Sequence, residues 1–321
     1  MSAYVNSGLV TIGIPTYNRS GCLVKAVRSA LAQTYSHIEV VVSDNASTDD
    51  TLLRMREIDD PRVTLLKQPK NLGMIGNFNA CLNAARGTLF LMLSDDDLME
   101  PDAVEQLSRP FLQEPDNGIG LTWCPSVVIN PNEEALWTTD GGPAIESPAS
   151  LVMGILNGSR GPRFSSVMLR TADALAEGGY NGERYGALCD TANWALAALR
   201  HESVACIQRP LVKNMVHAAS STSGQACRDW RAWGETVYAD LVEPLRKHGN
   251  SERELRAAKR NFLANLTVTI LLPNVGQPGW FPYLFREILL GWRNFLTLGV
   301  ARRVFRESWK FVRFWPRERR A

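Results

Sequence analysis

The chain has 321 residues, of which 45% are hydrophobic and 21% are charged, and its formal net charge at pH 7 is +2. This length suits one large or two modest globular domains, and the nearly balanced charge argues against a general polyanion binder. The six cysteines are scattered without zinc or thioredoxin spacing, which indicates buried thiols in a reducing compartment. The start of the chain lacks a signal-peptide pattern, and no apolar run reaches about 18 residues, so we expect no transmembrane helix.

The first hundred residues alternate between short apolar runs and stretches with helical spacing. The first strand is predicted to begin at Leu9 and to end at Pro15, further strands are predicted at 38–42, 62–68 and 87–94, and helices are predicted at 21–34, after residue 48 and at 74–86. The second helix is expected to be capped by Ser47 or Thr48. Continuous apolar strands that alternate with helices predict an α/β fold, with a doubly wound parallel sheet covered on both faces.

Polar residues gather where three of these strands end. PTYNR (15–19) follows the first strand, SDNAS (43–47) the second and SDDD (94–97) the fourth. Ligands of such sheets bind at the carboxyl ends of the strands, so the three loops are expected to form one cleft. No G-x-G-x-x-G or G-K-[ST] loop is present, which leaves dinucleotide-binding and P-loop functions without support.

After residue 100 the regular alternation of predicted strands and helices ends. Residues 101–225 mix strand-like and turn-rich segments and are expected to complete the sheet and shape a second pocket. From Asp229 on, the periodicity is helical and is interrupted at 271–282.

Four blocks of the sequence resemble the family 2 glycosyltransferases of the GT-A fold. They are VTIGIPTYNR, IEVVVSDNASTDDT, NLGMIGNFNACLNAARG and LFLMLSDDDLMEPDAV. The resemblance is dense over residues 9–105 and thins to about residue 223. It implies an inverting enzyme of the bacterial polysaccharide or O-antigen type that uses a nucleotide-sugar donor, with a mixed, mainly parallel GT-A sheet and a C-terminal helical extension.

The resemblance also suggests a domain organisation. Residues 1–225 would form the GT-A domain, divided into a nucleotide-sugar-binding half (1–100) and an acceptor-binding half (101–225). Residues 226–321 would form the helical extension.

Three adjacent carboxylates repel one another unless a cation or hydrogen-bond donors lie among them. The resemblance implies that this acidic motif holds Mn²⁺ or Mg²⁺, with Asp96 as metal ligand and Asp95 as metal or ribose contact. It also implies that His217 contacts the metal or the pyrophosphate. Ser94 stands where the family has its first Asp, and an Asp95–Asp97 pair remains an alternative. An N-cap cluster before the next helix is the simpler structural interpretation.

The resemblance also implies a nucleotide pocket. Its expected contacts are Pro15, Thr16, Tyr17, Arg19, Asp44, Asn71, Gly73, Asn77 and Asp95. Asp44 would accept a hydrogen bond from the base, which favours a pyrimidine, while Tyr17 would stack and Arg19 would bind phosphate. Each also has a plain structural alternative: a turn-forming residue for Asp44, a packing residue for Tyr17 and a polar helix residue for Asn77.

Inverting transfer needs a general base for the acceptor hydroxyl. GGYNGERYGALCDTANWALAAL (178–199) has the Gly-Gly-aromatic turn and helix of the family motif, which makes Asp190 the candidate base. Cys189 replaces the usual Glu, and an N-cap role for Asp190 fits the same position. Met215 stands where the family often has an arginine, so phosphate stabilisation is expected to depend more on Arg19.

The C-terminal segment 286–320 holds ten Lys and Arg residues against three Glu, interleaved with Trp and Phe. That composition is typical of a helix in an anionic membrane interface and suits a lipid-linked saccharide acceptor at the cytoplasmic face of the membrane. A basic amphipathic helix packed on the catalytic domain is the alternative, and nucleic acid is a weaker one. QACRDW (225–230) is one residue away from the Q-x-x-R-W motif of processive synthases, so we expect transfer of a single sugar.

Two other functions stay open at the level of sequence. A nucleotidyltransferase also uses a doubly wound sheet with acidic metal ligands, but it normally has a Gly-rich basic loop after the first strand. A non-catalytic module that binds sugar nucleotides or glycans would account for Ser94, Cys189 and Met215.

Overall fold

The computed structural model describes residues 8–113, 118–217 and 229–271. Their contacts divide the chain into two compact units. The larger unit contains the described residues up to Leu151, Arg160–Gly182 and Cys189–His217, and the smaller unit contains Val152–Ser159, Glu183–Leu188 and the described residues from 229 onward. The predicted boundary at residue 225 lies outside the described residues.

The described residues contain twelve strands and ten α-helices. The strands are β1 (Val10–Thr16), β2 (Ile38–Asp44), β3 (Val63–Lys67), β4 (Leu89–Met92), β5 (Leu98–Met99), β6 (Ile119–Trp123), β7 (Ser126–Ile129), β8 (Ala135–Thr138), β9 (Ile145–Glu146), β10 (Val167–Arg170), β11 (Ser203–Cys206) and β12 (Val212–Met215). The helices are α1 (Ser20–Leu31), α2 (Thr51–Met55), α3 (Gly73–Asn83), α4 (Ala103–Gln113), α5 (Pro148–Asn157), α6 (Thr171–Ala176), α7 (Gly182–Tyr185), α8 (Cys189–Ala198), α9 (Trp230–Lys247) and α10 (Glu252–Leu271).

The larger sheet orders its eight described strands as β3-β2-β1-β4-β10-β6-β11-β9. Strand β1 runs parallel to β2 and β4, and β2 runs parallel to β3. Strand β10 is antiparallel to β4 and β6, which makes the sheet mixed. All residues of β1 and β2 are buried, as continuous apolar strands under helices must be. The predicted mixed, mainly parallel α/β sheet is therefore confirmed.

Helix α1 packs on this sheet through residues spaced three or four apart. Leu23, Val27 and Ala30 are fully buried in the core that the sheet forms with α1 and α4. This spacing places one apolar stripe along a helix of 3.6 residues per turn. Burial of that stripe fixes where α1 begins, directly after the first polar loop.

Helix α3 approaches β1 closely because β1 has a glycine at the crossing point. A Cβ atom on Gly13 would lie 2.9 Å from Cys81 Cβ and 3.0 Å from the Phe90 ring. Any larger side chain at position 13 would push α3 away from the sheet. The contact therefore sets the position of Asn77, one helical turn before Cys81.

A smaller sheet orders four described strands as β5-β12-β7-β8. Strand β12 pairs antiparallel with β5 and parallel with β7. Because β5 directly follows the acidic motif, this pairing carries the end of β12 and the residues after it to residues 95–97. Residues 101–225 complete the larger sheet as predicted, through β6, β9, β10 and β11, and they also supply three strands of this second sheet.

The expected cap of the second helix is wrong. Helix α2 begins at Thr51, and its N-cap residue Asp50 makes no side-chain capping bond. Ser47 and Thr48 instead contact Asn18 in the first loop, through Asn18 N to Ser47 Oγ at 2.9 Å and Thr48 N to Asn18 Oδ1 at 2.7 Å. These polar groups join two loops, which competes with capping a helix.

The described residues of the smaller unit after 229 form the two helices α9 and α10, in agreement with the predicted helical periodicity. Tyr238 on α9 donates a hydrogen bond to the Leu255 carbonyl oxygen of α10 at 3.0 Å, and a Cβ atom on Gly234 would lie 2.5 Å from Leu266. Within the described residues, no helix has the length and apolarity that a bilayer crossing requires. The basic aromatic segment 286–320 lies outside the described residues.

Candidate active site

The loops after β1, β2 and β4 meet at the carboxyl edge of the larger sheet, as predicted. Thr16 and Asp44 are register partners at the ends of β1 and β2, and Asn45 N donates to the Thr16 carbonyl at 3.0 Å. Thr16 Oγ1 donates to Asp95 Oδ2 at 2.7 Å, which joins the first loop to the acidic motif. These residues are far apart in sequence and come into contact because their strands lie side by side and run parallel.

Asp95 is the inner carboxylate of this edge, with 7% of its surface exposed. Besides Thr16, it accepts a longer contact of 3.4 Å from Arg19 Nη1. Burial raises the pKa of Asp95 to about 6, against the opposing effect of these two donors. The ionised form of Asp95 therefore depends on the positive charge of Arg19 beside it.

Asp96 carries two further partners on a single oxygen. Arg19 Nη1 lies 2.6 Å from Asp96 Oδ2, and His217 Nε2 lies 3.0 Å from the same atom. Asp96 Oδ1 accepts no hydrogen bond from any described residue. Arg19 is also the only Lys or Arg among those residues that pairs with Asp95 or Asp96.

Asp97 points away from this group and is 4% exposed. It accepts hydrogen bonds from Ser165 Oγ at 2.5 Å, Asn214 Nδ2 at 2.6 Å and Met215 N at 2.9 Å. Burial, with the charge of Asp96, raises its pKa to about 7. Both oxygens of Asp97 are turned to protein donors, so the geometry does not favour the Asp95–Asp97 pair considered from the sequence.

Ser165 and Asn214 were missed in the sequence, although they hold the acidic motif in place. Ser165 is fully buried and also accepts a hydrogen bond from Ser94 N at 3.0 Å. Neither residue belongs to a motif that the sequence analysis recognised, so no sequence pattern marked them. Because Asp97 holds Met215, it also fixes the backbone two residues before His217.

The first loop has a fixed backbone and an exposed aromatic side chain. Asn18 has a φ of 54°, a left-handed conformation that Asn tolerates, and it bonds to Ser47 and Thr48. Pro15 is buried in β1, whereas Tyr17 is 44% exposed and available for contact with a ligand. Arg19 follows as the residue that precedes α1.

The second loop contains the predicted base-binding residue and one residue that sequence reasoning missed. Asp44 is 1% exposed and accepts a hydrogen bond from Ser47 N at 3.1 Å, as a turn-forming Asp does. Asn45, directly after it, accepts from Leu72 N at 2.7 Å and donates to Asn71 Oδ1 at 3.0 Å. Its position in the polar segment SDNAS is the sequence feature that could have identified Asn45 as a candidate.

The segment before α3 is brought to this loop through Asn45. Asn45 Nδ2 also lies 3.2 Å from the Gly73 carbonyl oxygen, and Gly73 N donates to Asn71 Oδ1 at 2.8 Å. Gly73 has a φ of 75°, which glycine adopts without strain. Asn71 and Gly73 therefore lie beside the second loop.

Asn77 is committed to the protein backbone. It is 3% exposed, and its amide nitrogen donates to the Thr16 and Ser43 carbonyls at 3.3 and 2.9 Å. Its oxygen accepts from Ser43 Oγ at 2.6 Å. These contacts hold the ends of β1 and β2, so the geometry favours a structural role for Asn77 over direct nucleotide contact.

Asp190 lies in the first turn of α8 and is half-buried. Burial raises its pKa to about 6 although Thr191 N donates to Asp190 Oδ1 at 2.6 Å. An N-cap residue accepts from the second or third helical N–H, so this contact with the next residue is not a cap. Asp190 Oδ2 accepts no hydrogen bond from the described residues.

The Gly-Gly-Tyr turn before α8 is held from both sides. Gly179 has a φ of 70°, and Asn79 bonds to Tyr180 through both backbone groups, at 2.8 and 2.9 Å. Tyr180 packs with Phe78 and Phe164, whose ring centroids lie 5.7 and 6.2 Å away. The turn is thereby tied to α3 and to the segment that carries Ser165.

The predicted metal ligands are brought together only in part. Among the described residues, no group of three or more His, Cys, Asp or Glu side chains is arranged as a metal site. His217 nevertheless contacts Asp96 Oδ2, and Arg19 pairs with both Asp95 and Asp96. Carboxylate oxygens with one imidazole form a donor set that Mn²⁺ or Mg²⁺ accepts when phosphate oxygens complete it. These residues fit a divalent cation once Arg19 is moved.

Part of the chain is similar in sequence to known glycosyltransferases. Residues 11–139 match the family described as glycosyl transferase family 2. The chain is 44% identical to chondroitin synthase of Escherichia coli over 99 residues, which is 30% of this chain and 14% of that protein. It is 38% identical over 89 residues to the E. coli UDP-Glc:alpha-D-GlcNAc-diphosphoundecaprenol beta-1,3-glucosyltransferase WfaP, covering 28% of this chain and 36% of WfaP. The chain thus spans well under two thirds of these relatives.

Solved structures share the fold over most of the chain. S. aureus TarS 1-349 in complex with UDP-GlcNAc superposes with a TM-score of 0.66 at 15% identity and covers 88% of this chain and 81% of its own. The mannosyltransferase PcManGT from Pyrobaculum calidifontis, in complex with GDP-Man and Mn2+, gives a TM-score of 0.50 at 18% identity, with 94% and 84% coverage. The motif order, the sheet and the family match over residues 11–139 agree, and this part of the chain is similar to the family 2 glycosyltransferases with the GT-A fold.

Proposed function

We propose that this chain is an inverting, metal-dependent glycosyltransferase that moves one sugar from a nucleoside-diphosphate sugar to an acceptor hydroxyl. The observation that carries the proposal is the convergence of Arg19 and His217 on Asp96 Oδ2, beside the exposed Tyr17 loop. A guanidinium, an imidazole and carboxylates at the end of a parallel sheet suit a diphosphate with its cation.

The donor is proposed to carry a pyrimidine nucleotide. Asp44 is the proposed acceptor for the base N–H, with Tyr17 stacking on the ring and Pro15, Thr16, Asn71 and Gly73 lining the pocket. The similarity to TarS, which was solved with UDP-GlcNAc, supports a uridine nucleotide. Asn77 would act by holding the strand ends rather than by touching the donor.

The proposed cation is Mn²⁺ or Mg²⁺, held by Asp96 and His217 with Asp95 beside them. Such an ion neutralises the charge that gathers on the departing nucleoside diphosphate. The similarity to PcManGT, whose structure contains Mn2+, supports this choice. Arg19 would contact the diphosphate, a role made more important by Met215 in a position where the family often has an arginine.

Asp190 is the proposed general base. Its pKa of about 6 leaves it ionised at neutral pH and close enough to the working pH to accept a proton. Its Oδ1 is held by Thr191, which leaves Oδ2 for the acceptor hydroxyl. Attack from the face opposite the leaving group would invert the anomeric configuration.

The acceptor is proposed to be a lipid-linked saccharide of cell-surface polysaccharide synthesis, such as an O-antigen precursor. The name of WfaP, which specifies a diphosphoundecaprenol acceptor, supports this class. The basic aromatic segment 286–320 would hold the enzyme as a peripheral protein on the cytoplasmic side of the membrane. The division into a transferase domain at 1–225 and an extension at 226–321 belongs to the same proposal.

Donor turnover tests the proposal directly. The purified chain would be given UDP-, TDP-, CDP- and GDP-sugars with Mn²⁺ and a panel of polyprenyl-diphosphate saccharides, and nucleoside diphosphate release and product anomer would be followed by NMR. We expect one pyrimidine donor to turn over with inversion. Donor binding without turnover on any acceptor would favour the non-catalytic binding module instead.

A further inference from the structure

Arg19 occupies the position between the two carboxylates that the cation needs. Its Nη1 lies 2.6 Å from Asp96 Oδ2 and 3.4 Å from Asp95 Oδ1, and its side chain is 31% exposed. Asp95 and Asp96 pair with no other Lys or Arg among the described residues. A buried carboxylate without a partner is costly, so Arg19 stabilises this edge when no ligand is present.

The Arg19 side chain can leave without a change in the loop backbone. Asn18 is fixed to the second loop through Ser47 and Thr48, at 2.9 and 2.7 Å. The Arg19 carbonyl oxygen accepts hydrogen bonds from Cys22 N and Leu23 N at 3.1 and 3.0 Å, which anchors it to α1. The flexible side chain is therefore the only part that must move.

A nucleoside diphosphate offers the guanidinium a better partner than it has here. Arginine binds phosphate through two parallel hydrogen bonds, whereas Arg19 uses one nitrogen for two carboxylates. If Arg19 turns to the diphosphate, Asp96 Oδ2 loses one of its two partners and becomes available. His217 Nε2, 3.0 Å from Asp96 Oδ2, is the second atom that could bind the cation there.

We propose that Arg19 is a built-in cation that blocks the Asp95–Asp96 site until a nucleoside diphosphate draws it away, so that metal and nucleotide bind cooperatively. This inference rests on the proposed function, because it assumes that a divalent cation serves the reaction. By linkage, the cation must strengthen nucleotide binding by the same factor as the nucleotide strengthens cation binding. Arg19 is thus a positioning residue for the cation as well as a phosphate contact.

The test measures binding of Mn²⁺ alone, by electron paramagnetic resonance of the free ion, to the wild-type chain and to Arg19→Met. Methionine keeps much of the side-chain volume and removes the charge. We expect Arg19→Met to bind Mn²⁺ at least about fivefold more tightly than the wild type in the absence of nucleotide. Arg28→Met, which removes an exposed charge from α1, the helix that follows Arg19, should leave Mn²⁺ binding unchanged.

A second series repeats the titration with UDP or GDP present. The wild type should gain Mn²⁺ affinity from the nucleotide, and Arg19→Met should gain much less. If Arg19→Met binds Mn²⁺ alone no better than the wild type, while the wild type binds Mn²⁺ with nucleotide, the blocking role is overturned and the proposed function stands. If a nucleotide binds but no variant binds Mn²⁺ under any condition, the metal dependence of the proposed function fails, and the blocking role fails with it.

Discussion

His217 Nε2 lies 3.0 Å from Asp96 Oδ2, although 121 positions separate the two residues in the sequence. The contact exists because β12 pairs with β5, the short strand directly after the acidic motif. Asp97 strengthens the same junction through Asn214 and the Met215 amide. The acidic motif is thereby supported by both halves of the larger unit.

The Asp96→Asn variant should lose cation-dependent nucleotide binding. The amide cannot supply the negative oxygen that a hard divalent cation prefers, and it also weakens the pair with Arg19. Calorimetric titration with UDP, with and without Mn²⁺, would measure the effect. Asp59→Asn, an exposed change, is the matched control. Unchanged Mn²⁺-dependent binding in Asp96→Asn would remove this residue from the ligand set.

The Asp190→Asn variant should keep nucleotide binding and lose transfer. Loss of a general base lowers the rate by roughly 10²–10⁴-fold. Nucleotide binding and transfer rate would be measured on the same preparation, with the exposed Glu183→Gln as control. Normal transfer by Asp190→Asn would remove Asp190 from the mechanism.

The rate of transfer should fall in acid because the base must be ionised. Burial raises the pKa of Asp190 to about 6, so the active form dominates above that value and is lost as the pH falls through it. One pH unit below, roughly a tenth of the molecules would be active. The measurement is kcat/KM between pH 4.5 and 8, and a flat profile would contradict a base with this pKa.

The Asp97→Asn variant should be less stable and should bind Mn²⁺ with UDP more weakly. The new amide group can accept fewer hydrogen bonds than the carboxylate. Either its N–H would face the donor Asn214 Nδ2, or one of the three donors would stay unpaired, which should lower the free energy of unfolding by about 1–3 kcal/mol. Urea unfolding would measure the stability. Adding Asn214→Asp reverses the donor and acceptor of this pair and should restore part of both properties, whereas a general packing defect would not be rescued.

Glu39 should make stability depend on pH. Burial alone would raise its pKa, but hydrogen bonds from Thr11 Oγ1 at 2.6 Å and from the Arg86 backbone and side chain at 2.7 Å lower it. A carboxyl group whose pKa is lower in the folded than in the unfolded chain stabilises the fold at pH values above the unfolded pKa, which is roughly 4.3 for Glu. This stabilisation is lost as the pH falls through the folded pKa.

Replacement of this side chain provides the test. Glu39→Gln should reduce the free energy of unfolding at pH 7 by about 1–3 kcal/mol and by less at pH 3. The exposed Glu57→Gln is the control. An equal effect at both pH values would contradict the assignment of the charge to Glu39.

Deletion of residues 286–321 should reduce sedimentation with anionic liposomes. The ten Lys and Arg residues of 286–320 would each lose an attraction of about 1 kcal/mol near the surface. Catalysis on a water-soluble acceptor should persist in the shortened chain. Equal sedimentation of the full and shortened chains would favour a packing role for this segment.

The local sequence pattern was enough to predict the parallel sheet of the first half and the edge at which its polar loops meet. Apolar runs such as Ile38–Val42 can be buried on both faces only in a parallel sheet, and parallel strands bring Thr16, Asp44 and Asp95 to one edge. Short-range patterns carry this information because strand and helix periodicity depend on neighbouring residues.

The partners of the individual polar side chains follow from the three-dimensional fold and not from the local sequence. Asp95, Asp96 and Asp97 are adjacent in sequence, yet the first faces Thr16, the second Arg19 and His217, and the third Ser165 and Asn214. Asp95 and Asp96 lie in a turn that Asp97 N closes on the Ser94 carbonyl oxygen at 3.1 Å, so the three side chains point in different directions, and what each one meets depends on residues at least 68 positions away. Long-range contacts, and not the local pattern, therefore distinguish Asp95 and Asp96, which face the candidate site, from Asp97, which supports its structure.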